Sequence, residues 1–466
     1  MIFSSSIFLF AFLPIILFGY YVVFRNKRNA QNTFLMVCSL LFYAWGEPIF
    51  VLAMLGSIIA NWALAIWVDR VREQHKMARF AILCMLCFNI GLLFIFKYLM
   101  FVVKNINMIF GSNLLSMSNI ALPIGISFFT FKAISYVMDV YRKDCIMQKS
   151  LLNVALYISF FPQIMAGPIV RYQTFEEQIT GRKETVDDIS SGVCRFIVGF
   201  GKKMLVSNNL ALAADTVFAM ENRSIFSAWL GIIAYAFQIY YDFCGYSDMA
   251  LGVGKMFGFH FPENFNYPYI SKSISEFWRR WHISLGSWFR DYVYFPLGGS
   301  RVSSKWRLAF NLFVVWVLTG LWHGANWTFM IWGLMYFVLI TVEKLSGFDK
   351  KINRIGHLYT LIFVLIGWVV FRAETLTVAV NYLGNMFGIG AAGLYDVDTV
   401  HLMMENFPLY LIATVFSMPI VGYISKKFEN NKFASVLYAA AQILILIIAI
   451  AFMIKGSYNP FIYFNF

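Results

Sequence analysis

The feature that most constrains this chain is a succession of apolar runs, each close to the length that a helix needs to cross a lipid bilayer. A span takes roughly 20 residues at a rise of about 1.5 Å per residue. Candidate spans lie at 6–24, 49–68, 79–97, 225–243, 325–343, 357–371, 404–424 and 433–454. Shorter runs, or runs broken by Gly or Pro, lie at 32–46, 121–141, 152–170, 204–220 and 308–322. We therefore expect an all-α, polytopic membrane protein with about ten to twelve transmembrane helices and additional re-entrant segments.

The composition supports this expectation. Of 466 residues, 60% are hydrophobic and 13% are charged, whereas soluble globular proteins have roughly 45–50% apolar and about 25% charged residues. A soluble chain of this length has no interior large enough for so much apolar surface. Because no fixed-period repeat, low-complexity tract or long linker interrupts the sequence, we predict a single membrane domain over residues 1–466.

The net charge of +13 comes from basic clusters that lie between the apolar runs. They include Arg25-Lys27-Arg28, Arg70-Arg72-Lys76-Arg79, Arg142-Lys143, Lys202-Lys203, Arg301-Lys305-Arg307, Lys344-Lys350-Lys351-Arg354 and Lys426-Lys427-Lys432. This distribution is typical of cytoplasmic loops beside anionic lipid and gives no reason to expect a nucleic-acid partner. Segment 373–403 contains no Lys or Arg and is expected on the outer side. The N-terminus is then extracytoplasmic, and the first apolar run is a retained span because no cleavage pattern follows it.

The six cysteines predict neither disulfides nor a metal site. Most of them lie inside apolar runs, and only Cys84 and Cys87 are close in sequence. The second pair of ligands that a zinc site would need does not follow. We interpret the cysteines as packing residues.

The stretch 273–299 is too polar to span the membrane. Ser273 and Glu276 form a capping-box signature for a helix start. Apolar side chains then recur at helical spacing, namely Ile274, Phe277, Trp278, Trp281, Leu285 and Trp288, while Arg279, Arg280 and Arg290 fall on the other side. The pattern predicts an amphipathic helix that lies at the cytoplasmic boundary or packs under the bundle.

His323 is the histidine that stands out among the six. It follows the apolar run 308–322, whose other end carries basic residues, so a helix would place it about 20 Å from the cytoplasmic side. Ionisable groups at that depth are rare and commonly line a substrate path, although a neutral histidine bonded to a backbone carbonyl is the structural alternative. Gly320 and Gly324 would let another group approach closely and so favour a functional role.

The other polar residues have mostly structural interpretations. His282 lies at the edge of the apolar stripe, where structural and functional roles are equally plausible. His75, His357 and His401 are predicted to be surface residues, and His260 is predicted to make a structural hydrogen bond. Asp242 and Asp248 are six residues apart and would need a break at Gly245 to meet, so structural bonding is favoured over acid/base pairing.

Several motifs together resemble the membrane-bound O-acyltransferase family. They are Asn264-Phe-Asn-Tyr-Pro-Tyr269, Phe277-Trp-Arg-Arg-Trp-His-Ile-Ser-Leu285, Trp288-Phe-Arg-Asp-Tyr-Val-Tyr294 with Pro296-Leu-Gly-Gly299, and Gly320-Leu-Trp-His-Gly324. Leu122-Pro-Ile-Gly-Ile-Ser-Phe-Phe129 and Gln163-Ile-Met-Ala-Gly-Pro168 are similar to it too, so 121–375 is the expected family core. The Pro-Leu-Gly-Gly ending and the double Arg before Trp281 resemble the bacterial alginate O-acetyltransferase branch.

The resemblance implies helices around a central tunnel that joins a cytoplasmic donor to an extracytoplasmic acceptor, in the cell membrane of a bacterium. It implies that His323 and His282 are the catalytic pair. We expect His323 to act as general base and His282 to position the donor or polarise its carbonyl. The expected donor is acetyl-CoA or another acyl thioester, with no tightly bound cofactor. Arg279, Arg280, Arg290, Trp281 and Trp288 are expected to bind the donor. The three arginines form a cytoplasmic basic collar with Arg301, Lys305 and Arg307. The collar is expected to hold the phosphates of CoA, although positive-inside topology explains several of its residues equally well.

Relatives in this branch work with an extracytoplasmic partner of the SGNH-hydrolase type. Since no such sequence is recognisable here, the acceptor hydroxyl is expected from that partner, or from an exported polysaccharide or cell-wall glycan. Transfer of D-alanine to teichoic acid and O-acetylation of peptidoglycan remain alternatives. From a different class, intramembrane polar groups and Gly/Pro-broken helices at 122–125 and 166–168 are also compatible with a solute transporter.

Overall fold

The protein is described from a computed structural model of the chain. The structure describes residues 1–111, 115, 120–348, 355–428, 431–456, 458–460 and 462. Lys350, Lys351 and Arg354 of the predicted cytoplasmic cluster lie outside these residues. All regular elements within the described ranges are helical, so the predicted all-α class is confirmed.

The chain divides into two compact units, Met1–Phe196 with Ser247–Pro262, and Ile197–Tyr246 with Glu263–Phe466. Helices within the first are Phe8–Val23, Arg28–Gly46, Phe50–Val71, His75–Phe110, Ile126–Arg142, Leu151–Ser159 and Tyr172–Gly181. Helices within the second are Lys202–Ser207, Asn208–Ala219, Pro268–Ile270, Ile274–Arg280, Ile283–Phe289, Arg290–Tyr294, Lys305–His323, Trp327–Ser346, Gly356–Arg372, Leu376–Met386, Val397–Phe416, Ile420–Lys427 and Lys432–Lys455. The helices Val186–Gly201 and Ile225–Met256 contribute residues to both. The predicted single membrane domain stays a prediction.

Four helices of the described chain are long and apolar enough to cross a membrane: Phe50–Val71, His75–Phe110, Trp327–Ser346 and Lys432–Lys455. Phe8–Val23 and Gly356–Arg372 are shorter apolar helices. All six coincide with predicted spans. The protein is therefore a multi-pass membrane protein, as the sequence predicts.

The helix Lys432–Lys455 shows why a bilayer is required. Only 11% of its most apolar window is buried against the rest of the protein, and large side chains such as Phe433, Val436 and Ile454 are mostly exposed. In water this surface would be a large unfavourable patch. Hydrocarbon is the solvent that such a face fits.

Several buried polar side chains of the first unit pair with one another. Asn61 and Asn89 exchange two hydrogen bonds, of 2.8 and 3.1 Å, between the Phe50–Val71 and His75–Phe110 helices. The buried Lys132 Nζ donates to Gln163 Oε1 at 2.7 Å, and so ties the Ile126–Arg142 helix to the turn after Leu151–Ser159. Such pairings are what a protein interior or a bilayer demands of polar side chains.

In the second unit, Lys305–His323 and Trp327–Ser346 form a helical hairpin with a very close backbone approach. A Cβ on Gly320 would lie 2.5 Å from the carbonyl oxygen of Phe329, and a Cβ on Gly333 would lie 2.5 Å from that of Trp316. Small residues at such a crossing let two helices pack backbone to backbone. The hairpin sets the position of His323, the last residue of its first helix.

Candidate active site

Two short helices, with a break between them, carry the motif 273–289. Ile274–Arg280 begins as the capping box predicts, because Ser273 Oγ accepts from Glu276 N–H at 3.0 Å and Glu276 accepts from Lys272 N–H at 2.9 Å. The predicted stripe is largely buried, with Phe277 at 0%, Trp281 at 2% and Leu285 at 4% exposure. The prediction of one continuous helix is wrong, however: His282 has a φ of +44° and the second helix, Ile283–Phe289, starts after it.

The helix is broken because the neighbouring segment 264–266 bonds to its backbone. Asn266 N–H donates to the carbonyl of Arg280 and Ile283 N–H donates to the carbonyl of Asn264, both at 2.9 Å. These bonds occupy backbone groups that a continuous helix would pair with its own turns. The left-handed conformation of His282 is the result, and it turns the histidine into the protein, where it is 2% exposed.

His282 and His323 line the same cavity, of about 270 Å³. Its lining consists of Ser275, Trp278, Arg279, Trp281, His282, Ile283, Leu285, Gly286, Ser287, Phe289, Arg290, Val315, Trp316, Thr319 and His323. All of these residues belong to the second unit. Two histidines, two arginines and an otherwise largely apolar wall are thus combined in one cavity, which is the usual character of a small-molecule site.

His323 is held among aromatic rings. Its ring centroid lies 5.0 Å from that of Trp332, 5.1 Å from that of Phe371 and 6.5 Å from that of Phe329. The residue is 4% exposed. Walls of this kind exclude bulk water while they fix the plane of the imidazole.

His282 is held by a polar partner as well as by rings. Its Nδ1 lies 3.1 Å from Oδ1 of the buried Asn264, and its ring packs edge-on against Phe243 at 4.6 Å. Burial lowers the pKa of His282 to about 3, because the charged form loses its hydration. The ring is therefore neutral near neutral pH.

Three of the five residues predicted to bind the donor line the cavity, and the other two are not among its described lining residues. Arg279, Arg290 and Trp281 line the cavity, while Arg280 and Trp288 are not among the described lining residues. Arg280 instead pairs with Glu276 and donates to the carbonyl of Asn266 at 3.1 Å. Arg290 pairs with its neighbour Asp291 at 2.8 Å, and Trp288 is buried. Arg301, Lys305 and Arg307 of the collar are exposed.

Two residues that support this site had no role assigned from the sequence. Asn264 belongs to a recognised motif but gives no sign there of contacting His282. Glu343, which is fully buried, accepts from the backbone N–H groups of Ile274 and Ser275 at 2.7 and 2.8 Å. It caps the helix that carries Arg279. Its signal in the sequence is a carboxylate at the end of an apolar run, which commonly marks a functional or paired group in a membrane protein.

The other candidates have structural partners. The Ile225–Met256 helix is continuous through Gly245, so no break brings Asp242 and Asp248 together. Asp242 pairs with Lys203 at 2.7 Å, and Asp248 pairs with Arg195 at 2.9 Å. These ion pairs agree with the structural interpretation of both carboxylates.

The remaining histidines are not among the described lining residues of the cavity. His260 Nε2 contacts Asp188 Oδ1 at 2.8 Å, as expected of a structural residue. His75 and His401 are exposed, as predicted. His357 is half-buried, with Nδ1 3.2 Å from the carbonyl oxygen of Ser271, so its prediction as a solvated surface residue is wrong.

Comparison of the sequence with known proteins identifies the family of the chain. Residues 142–372 match the model of the membrane-bound O-acyltransferase family, within the predicted core 121–375. The probable alginate O-acetylase AlgI of Pseudomonas putida is 38% identical over the full length of both chains. The peptidoglycan O-acetyltransferase of Helicobacter pylori is 32% identical over 100% of this chain and 98% of its own. The teichoic acid D-alanyltransferase of Bacillus subtilis is 36% identical, but over 50% of this chain and 60% of its own.

The relatives compared above that match from end to end are named as O-acetylating enzymes, and the matched segment 142–372 contains both cavity histidines. The sequence motifs, the all-helical membrane fold and these similarities agree. The chain belongs to the membrane-bound O-acyltransferase family and is a membrane O-acyltransferase.

Proposed function

We propose that the protein transfers an acetyl group from a cytoplasmic acyl thioester, acetyl-CoA in the simplest case, to a hydroxyl on the outer side of a bacterial inner membrane. The acceptor is an exported polysaccharide or cell-wall glycan, reached directly or through an extracytoplasmic partner protein of the SGNH-hydrolase type. The N-terminus lies on the outer side, as the basic clusters indicate. The observation that carries this proposal is the single cavity that holds His323, His282, Arg279 and Arg290.

His323 is the general base of the proposed reaction. It takes the proton of the acceptor hydroxyl as that oxygen attacks the thioester carbonyl carbon. The carbon–sulfur bond breaks, and His323 returns the proton to the leaving sulfur, so the ring ends as it began. Trp332 and Phe371 around it limit the access of water, which would otherwise hydrolyse the thioester.

Arg279 and Arg290 provide the positive charge that binds the donor. Both line the cavity and both are exposed residues, so they can meet a group that enters from water. Guanidinium groups bind phosphate oxygens through two parallel hydrogen bonds, and CoA carries phosphates at the end remote from its thioester. This arrangement favours a phosphorylated donor.

Acetyl transfer is favoured over D-alanyl transfer by the share of the chain that each kind of relative matches. The O-acetylating relatives match the whole chain, whereas the D-alanyltransferase matches half of it. An adjacent gene for a secreted SGNH-type protein would support glycan acetylation, and adjacent carrier-protein and ligase genes would support D-alanylation. To distinguish an alginate-like polysaccharide from peptidoglycan as the acceptor, the acetyl ester content of each isolated glycan is measured with and without this protein.

The test is acetyl transfer by cells and by purified protein that carry His323→Ala. We expect glycan acetate esters to disappear and acetyl-CoA turnover with acceptor to fall by at least about a thousandfold, with normal membrane insertion. His401→Ala is the matched control, since His401 is an exposed histidine, and it should retain full activity. An active His323→Ala protein would contradict the assignment of the base.

A further inference from the structure

The buried side chain of Asn264 determines which ring nitrogen of His282 carries the proton. Asn264 Oδ1 lies 3.2 Å from the backbone nitrogen of Ser284 and 2.9 Å from Ser284 Oγ. A backbone N–H can only donate, so the amide atom that faces it must be the oxygen. The orientation of the amide is thus fixed by the backbone and does not depend on an arbitrary choice between its oxygen and nitrogen.

The same oxygen faces His282 Nδ1 at 3.1 Å, and Ser284 Oγ lies 3.4 Å from Nδ1. Ser284 has one O–H, which it donates to Asn264 Oδ1 at 2.9 Å, so toward Nδ1 its oxygen can only accept. Both neighbours of Nδ1 are then acceptors, and Nδ1 holds the single N–H of the neutral ring. Nε2 then has a lone pair and no proton. It is buried, it has no hydrogen-bond partner among the described residues, and it belongs to a residue that lines the cavity.

We propose that Asn264 is a positioning residue that holds His282 as the Nδ1–H tautomer, so that His282 binds the donor by accepting a hydrogen bond at Nε2. This inference rests on the proposed acyl transfer and decides between two roles for His282. A thioester carbonyl oxygen is itself an acceptor and cannot bond to an unprotonated Nε2. The amide N–H groups of a pantetheine arm, which carries the thioester in CoA and in carrier proteins, can do so.

The surroundings of the ring keep it neutral. Arg279, Arg290 and His323 are the ionisable groups that line the cavity with it, none of them a carboxylate. Phe243 and Trp322 pack against the ring at 4.6 and 5.8 Å. A protonated His282 would therefore be both desolvated and beside cations.

Two substitutions at Asn264 test the proposal. Asn264→Asp keeps an oxygen acceptor for Ser284 and for His282, and it removes only an Nδ2 group that has no partner among the described residues. Asn264→Leu removes the acceptor. For Asn264→Leu we expect the KM for acetyl-CoA to rise roughly tenfold or more, as the loss of one oriented hydrogen bond predicts, with a smaller change in kcat. Asn264→Asp should restore the KM at alkaline pH.

The pH profile gives a readout that a packing role would not move. A carboxylate at 264 stabilises the imidazolium and raises the pKa of His282, by roughly one to three units. The pH at which His282 takes up its second proton, followed through its own 15N signals, should therefore be higher in Asn264→Asp than in the parent protein. A donor KM unchanged in Asn264→Leu would overturn the proposal, as would a His282 titration profile in Asn264→Asp that superimposes on that of the parent protein.

A spectroscopic measurement separates this inference from the proposed function. In 15N spectra of histidine-labelled protein, assigned with His282→Gln, we expect an unprotonated Nε2 for residue 282 in the parent chain. A protonated Nε2 overturns the inference whatever the activity. If instead the expected tautomer is present but acetyl-CoA is not turned over, the proposed donor is wrong while the role of Asn264 stands. Asn264→Leu protein that fails to fold leaves the Asn264→Asp profile and the spectrum to decide.

Discussion

At the scale of single residues, neighbours that look equivalent in the sequence have different tasks. Arg279 and Arg280 are consecutive, and both were expected to bind the donor. In the structure, Arg280 forms an ion pair with Glu276 and donates a hydrogen bond to the carbonyl of Asn266, while Arg279 lines the cavity. Helical geometry explains the difference, because consecutive residues point about 100° apart.

This difference predicts unequal effects of the same substitution. Arg279→Gln should raise the KM for acetyl-CoA by roughly ten- to a hundredfold, since it removes a charged hydrogen bond to the donor. Arg280→Gln is the matched control and should change KM less than about threefold, with a small loss of thermal stability from its helix ion pair. Steady-state kinetics with varied acetyl-CoA measure both. Equal effects of the two changes would contradict the separation of their roles.

At the scale of elements, the sequence predicts helices better than it predicts what interrupts them. The apolar run 308–322 with basic residues at one end predicts the helix Lys305–His323, and the structure has it. Ser273 and Glu276 predict a helix start in the same way. These signals are local, since helix periodicity and capping involve residues three or four apart.

The break at His282 could not be predicted from local pattern. It depends on backbone bonds to 264–266, and on Asn264 in particular, 18 residues away from His282. The cap that Glu343 places on Ile274 is more distant still, at 69 residues. The identities of the catalytic candidates were accessible because they lie in motifs. Their supporting residues were not, because tertiary contacts select them.

The hairpin that ends in His323 predicts a steric test. Gly320→Ala would place a methyl group 2.5 Å from the carbonyl oxygen of Phe329 and must push the two helices apart, at a cost of roughly 1–3 kcal/mol. We expect a lower temperature of unfolding in detergent and a fall in acyl transfer, because His323 is one helical turn away. Both are measured on the purified protein.

Gly56→Ala is the control for this steric effect. Gly56 lies in the helix Phe50–Val71, and a Cβ there meets no atom within 4 Å. The same substitution should leave activity unchanged and leave stability equal or slightly higher, since Ala has the better helix propensity. A Gly320→Ala protein as stable and active as Gly56→Ala would show that the close crossing is dispensable.

At the scale of the whole molecule, the few charges that are buried have partners. With 13% of residues charged, a chain in a bilayer can bury an ion only where a counter-charge or several hydrogen bonds compensate its lost hydration. Lys203 and Asp242 are 2% and 1% exposed and form such a pair at 2.7 Å. Asp242 also accepts from Ile462 N–H at 3.0 Å, and Lys203 donates to the carbonyl of Pro460. The pair thus holds Pro460 and Ile462 against the rest of the second unit.

Removing one charge of this pair should therefore cost far more than removing one at the surface. Asp242→Asn removes the carboxylate that pairs with the buried Lys203, and we expect a loss of roughly 3–5 kcal/mol of stability, seen as a large drop in the temperature of unfolding in detergent. Asp215→Asn is the matched control: Asp215 pairs with Arg372 but its side chain is 42% exposed, so the expected loss is at most about 1 kcal/mol. The double change Lys203→Met with Asp242→Leu should recover much of the stability, because it buries no unpaired ion. If Asp242→Asn and Asp215→Asn unfold at the same temperature, the buried ion pair does not hold this part of the molecule together.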